Sequence, residues 1–234
     1  MKPMNPGHAA AFGVAIAAAA VFAAAASAAP SPGPPGGADE KLRAELLRMA
    51  EDDQEAIRLG EADARAGKPQ THESAWIHEV HRRNGANMHR IVEERGWPGR
   101  SLAGDDGAAA AWLVVQHMDE EPQFQRRCLT LMEAAFINGE VSARNLAFLT
   151  DRVLDAEGKP QKYGTQGIGV KSPEDEARID RNRAAIGLPP WREFVQSRRR
   201  EHETLEARDA GGAAATPGTS PGAPAADPRA TPRP

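Results

Sequence analysis

Three polar clusters interrupt core-like stretches between Trp112 and Gln166: Gln116-His117-Met118-Asp119, Asp151-Arg152 and Gln161-Lys162-Tyr163-Gly164-Thr165-Gln166. Burying such side chains unpaired costs roughly 1–3 kcal/mol each, so they either knit a structural network or line a site. His117 is the residue type suited to general acid or base work, because imidazole titrates near neutrality. Asp151 would orient it or share its proton. Arg58 and Arg152 would hold an anionic group in a bidentate fork. Gln54, Gln116, Asp119, Gln161, Tyr163 and Gln166 complete the candidate ligand-binding set. Gln54 and Arg58 lie four apart and share a helix face, as members of a site or of an ordinary surface ladder. On a helix, His117 projects about 100° from Gln116 and about 200° from Asp119. No His–Asp dyad therefore forms within that helix, and an acidic partner for His117 comes from elsewhere in the chain.

Other chemistries find little support. Over residues 39–207 there is no G-x-S-x-G elbow and no H-E-x-x-H helix. Cys128 is the only cysteine, so no disulfide forms within the chain, and its neighbours Leu129, Leu131 and Met132 suit a buried, inert thiol. His78 and His81 are three apart but lack a third ligand, so no metal and no cofactor is expected. Arg198-Arg199-Arg200 is followed at once by Glu201 and Glu203. That pattern reads as a solvated helix face and not as a nucleic-acid patch.

The elements that must position these residues read as helices. Leu42, Leu46, Met49 and Ile57 form a stripe over residues 39–59, and a polar loop follows over 60–71. A second helix over 73–95 turns Trp76, Val80, Asn87, Ile91 and Val92 inward, and Gly96-Trp97-Pro98 stops it. Residues 101–107 read as a loop with a Gly-Asp-Asp-Gly turn, and an alanine-rich helix runs over 108–119. Pro122 opens a helix to about residue 138. The helix over 142–156 is apolar on more than one side, which predicts a central position. If the face holding Asp151 is covered, that carboxylate must find a donor. Residues 158–170 carry four glycines and a proline, predicting a loop or short hairpin. Two more helices follow over 172–186 and 191–207, the last increasingly charged. The fold class is all-α: one domain of six or seven helices over residues 39–207.

Residues 9–29 are almost wholly apolar, and Ala26-Ser27-Ala28 is a small-residue cleavage pattern. The expectation is a signal peptide over 1–28 and an exported, periplasmic or secreted protein without a remaining membrane span. The alternative is an uncleaved N-terminal anchor, since the run is about as long as a bilayer requires. A Pro/Gly linker over 29–38 and an Ala/Pro/Gly tail over 208–234 cannot bury a core. The net charge of −4 over 234 residues names no partner class.

Taken in order, several motifs resemble the bacterial domain-of-unknown-function family 6624. They are Asp53-Gln54 with Arg58, Asn87 leading to Gly96-Trp97-Pro98, Gln116-His117 with Asp119, and Leu149-Thr150-Asp151-Arg152. Gly158-Lys159-Pro160-Gln161, Tyr163-Gly164-Thr165-Gln166, Arg183 and Gly187-Leu188-Pro189-Pro190 close the series. The resemblance implies a mostly helical single domain over about residues 42–196 and no established activity. Two readings of function remain. The first is a binding or structural module that uses the polar clusters to hold a polar ligand or an envelope protein. The alternative is a hydrolase-type enzyme with His117 as general acid or base and Asp151 as its partner.

Overall fold

The computed structural model describes residues 37–67, 72–167 and 172–213. The expected signal segment, most of the expected linker and the tail beyond residue 213 lie outside the described residues, as does the side chain of Trp76. Among the described residues there are seven helices and no strand: α1 Glu40–Arg65, α2 His72–Arg95, α3 Arg100–Gln116, α4 Pro122–Phe136, α5 Ala143–Ala156, α6 Pro173–Ala185 and α7 Trp191–Ala213. None of these helices is long and apolar enough to cross a membrane. The chain divides into two units at Ser197 and Arg198, within α7. The second unit begins with the charged end of α7, where Arg198 pairs with Glu201 and the Thr204 hydroxyl donates to the Arg200 carbonyl. That helix continues to Ala213, past the boundary expected at 207.

In the first unit α1 lays its stripe of Leu42, Leu46, Met49, Ala50 and Ala56 against α3. Asp39 starts the helix by accepting from the Lys41 and Leu42 amides, both at 3.1 Å. Two expected loops are helical instead. α1 runs on through Gly60, where a Cβ would stand 3.3 Å from Ile77 of α2, so the missing side chain admits the neighbouring helix. α3 starts at Arg100, and Gly104 (φ 73°, ψ 169°) bends it without ending it. The Asp105-Asp106-Gly107 run is no free turn: Asp106 takes Arg43 of α1 through Nε at 2.7 Å and a terminal nitrogen at 2.5 Å.

The central helix is α3, not α5. Its final turns bury Trp112, Leu113, Val114, Val115 and Gln116 on all sides, and it packs on α1, α2, α4 and α5. α2 contributes Val80, Asn84, Met88, Ile91 and Val92, while Asn87 is only half-buried. α4 adds Phe124, Gln125, Cys128, Leu129 and Met132. Residues 158–167 form an irregular connection without a hairpin ladder, and 168–170 lie outside the described residues.

Candidate functional site

The three polar clusters separate into two places with different characters. The first is a sealed knot around Asp151 on α5. Its side chain is fully buried (0% exposed). Oδ1 accepts from the amides of Lys162 at 2.7 Å and Tyr163 at 3.0 Å. Oδ2 accepts from the amide and hydroxyl of Thr165, at 2.8 and 2.9 Å. The other edge of the same ribbon is met by α6 and the start of α7. The carbonyls of Gln161, Lys162, Tyr163 and Gly164 accept in turn from Arg178, Asn182, Arg183 and the Trp191 indole, at 2.9, 2.9, 2.9 and 3.0 Å.

Burial of the Arg183 guanidinium lowers its pKa, and the nearby charges of Asp180 and Asp151 oppose that shift. Gln161 and Gln166 are occupied here too: the Gln161 Oε1 accepts from the Gln166 amide at 3.1 Å. The Gln166 side chain donates to the Phe148 carbonyl at 3.3 Å. These are bonds of a structure holding itself in place. Asp151 finds the donor that its burial demands, but the donor is backbone, and it is no partner of His117.

The second place is the corner where α1, α2 and the end of α3 meet. α3 ends at Gln116, so His117 and Asp119 stand in the turn beyond it and not on the helix. Asp53 of α1 occupies the next place in the stripe Leu42, Leu46, Met49, and its side chain is 2% exposed. His117 Nδ1 lies 2.6 Å from Asp53 Oδ2. A carboxylate only accepts, so Nδ1 carries the hydrogen, and in the neutral form of the ring Nε2 is an acceptor. No hydrogen bond reaches Nε2 among the described residues. The same Asp53 oxygen takes the Gln54 amide at 3.2 Å. Its Oδ1 faces His81 Nε2 of α2 at 3.7 Å, too far for a hydrogen bond.

Asn84 lies one turn along α2 from His81 and donates to the Met49 carbonyl at 2.9 Å. That carbonyl belongs to the helical turn preceding Asp53, which brings Asn84 to the same corner. His81 Nε2, Asn84 Oδ1 and Gln116 Oε1 are all buried without a partner. Gln125 ties the corner to the following turn by donating to the Gln116 carbonyl at 3.2 Å and to Asp119 Oδ1 at 3.3 Å. Arg152 then spans both Asp119 oxygens at 3.1 Å.

The chain matches the family of unknown function DUF6624 over residues 40–203. It belongs to the DUF6624 family. No curated protein and no solved structure matches it. The DUF6624 match runs across both the Asp151 knot and the Asp53 corner, and the name assigns a function to neither. Of the residues singled out from sequence, the fold of this DUF6624 chain brings Gln54 and His117 together, with Asp119 and Arg152 one link away, while Gln116 enters only through its backbone carbonyl. Gln161, Tyr163 and Gln166 go to the knot. Arg58 pairs with Glu55 and is 66% exposed, outside either place. His81 and Asn84 were passed over as site residues, and Asp53 was quoted only in a motif. The periodicity held a sign of two of them: Asp53 continues Leu42, Leu46, Met49, and Asn84 lies between Val80 and Met88, each a polar residue on an apolar stripe. Among the described residues no group of three or more His, Cys, Asp or Glu could hold a metal ion.

Proposed function

We propose that the domain is a binding module for a small polar ligand, with its site at the corner of α1, α2 and the end of α3. What carries the reading is His117: Asp53 holds its ring at 2.6 Å, and Nε2 is left without a hydrogen bond among the described residues. A buried mid-helix carboxylate that fixes one imidazole is a costly arrangement for stability alone. The His117 side chain is 12% exposed and that of His81 is 40% exposed, so the corner is reached from solvent. The Asp151 knot is the structural share of the polar clusters.

The test is thermal shift on the full chain against sugars, nucleotides, amines and carboxylates, with wild type beside His117→Gln. A ligand that raises the melting temperature of wild type and not of the folded variant supports the reading. Equal shifts in both place the ligand elsewhere and overturn it.

A second reading, hydrolysis of the bound ligand, is favoured by the same bond, with Asp53 in the role expected of Asp151. An Nδ1–H held by a carboxylate leaves Nε2 placed to take a proton from water. Cys128 is no nucleophile, because burial pushes its thiol up to about 12. Export after Ala28 belongs to the same proposal, and the N-terminus of the mature protein tests it.

A further inference from the structure

The atoms left over at the Asp53 corner, His81 Nε2 apart, have a common character. Asn84 is 2% exposed, and because its Nδ2 is spent on the Met49 carbonyl, its unpartnered atom is the acceptor Oδ1. Asp53 Oδ1 accepts no hydrogen bond among the described residues, and the nearest ring nitrogen stands 3.7 Å away. In the neutral ring with Nδ1–H on Asp53, His117 Nε2 is an acceptor.

Charge points the same way. No lysine or arginine among the described residues pairs with Asp53. The arginines of the neighbouring elements already have carboxylates: Arg83 with Asp52, Arg82 with Glu79, Arg152 with Asp119. Glu121 is taken by His89 at 2.5 Å. Arg152 Nε is a buried donor without a partner, but Asp119 meets its charge. The corner therefore offers acceptors and carries one carboxylate that no lysine or arginine among the described residues meets.

Given the proposed binding site, we infer that its ligand is an organic cation bearing N–H donors, an ammonium or guanidinium group. Such a group supplies several donors to acceptors that otherwise stay unpaired, and its charge faces Asp53 across a partly dry corner. A neutral hydroxyl supplies one donor and no charge. A carboxylate or phosphate supplies only further acceptors.

The experiment is calorimetric titration of the full chain with four probes of one length: butylammonium, butylguanidinium, butanol and butyrate. Mg²⁺ and Zn²⁺ are titrated as separate arms. The expected result is saturable binding of at least one of the two nitrogen cations, about ten-fold or more tighter than butanol or butyrate. Asp53→Asn weakens that binding about ten-fold or more, the usual effect of losing a hydrogen bond to a charged group. Asn84→Leu, which keeps the approximate shape and drops the acceptor, weakens it several-fold and carries the test if Asp53→Asn does not fold. Butanol or butyrate binding as tightly as the cations at this corner overturns the inference while the binding site stands. A metal ion bound there in place of the amines has the same consequence. If neither these probes nor the wider panel binds in a His117-dependent way, the site and its ligand class fall together.

Discussion

Asp151 occupies the most demanding environment of any carboxylate described. Its charge is sealed on α5 and met by the Lys162, Tyr163 and Thr165 amides and the Thr165 hydroxyl. Removing the carboxylate leaves those donors buried and unmet, which costs about 3 kcal/mol or more. Asp151→Ala should therefore lose that much in urea unfolding, and a loss under about 1 kcal/mol would show the knot to be incidental. Cys128 gives a pH-dependent prediction. Burial raises its thiol from 9.0 to about 12, so above pH 9 the unfolded chain gives up a proton that the folded chain keeps. Stability contributed by the neutral thiol is then lost as pH rises. The stability of wild type relative to Cys128→Ala should fall between about pH 9 and about pH 12 in parallel urea titrations. A flat difference would mean that the thiol is wetter than its burial indicates. The inertness of this cysteine was legible from its apolar neighbours. The partner of His117 was not, because Asp53 lies 64 positions away and only the packing of α1 on α3 joins them.

At the scale of elements, the irregular ribbon over 161–166 is held along both edges, and Gly164 shows how closely. Its φ is +68°, and a Cβ would stand 2.7 Å from the Trp191 ring, whose indole nitrogen donates to the Gly164 carbonyl. Gly164→Ala combines left-handed strain with a clash against a large side chain, and should destabilise by about 2 kcal/mol or more in thermal or urea unfolding. An unchanged stability would show that Trp191 is free to swing away. Helix starts at Pro122, Ser142 and Ser172-Pro173 were legible because capping and proline chemistry act within a few residues. The misread stretches around Gly60 and Gly104 have the opposite cause. Each glycine sits where another helix or Arg43 approaches, and local propensity carries no information about that neighbour. The ribbon itself was legible as non-helical, but its role was not. Amide-bearing side chains that look like a recognition set prove to be bonded to their own backbone.

For the whole molecule, the question is how much of the chain unfolds as one. Every buried apolar side chain described lies between Leu42 and Ile179, within the unit that ends at Ser197. The family match nevertheless continues to residue 203, into the charged second unit. The slope of stability against urea scales with the surface exposed on unfolding. A chain whose cooperative core stops at residue 179 should show that slope unchanged when residues 198–234 are removed, within the roughly 10–15% that such extrapolations carry. The all-α class was legible from apolar periodicity, which reports burial directly. The division inside α7 was not, because the helical pattern of Trp191–Ala213 continues unbroken across it. The measurement is a pair of urea titrations, full chain against a chain ending at Ser197, followed by circular dichroism. Coincident slopes and midpoints mean that the helix beyond Ser197 adds nothing to the cooperative unit, and that the matched residues 198–203 are kept for a purpose other than stability. A slope smaller by a third, or a second transition, means that the charged helix buries surface with the rest and that the single cooperative core extends further than its apolar side chains do.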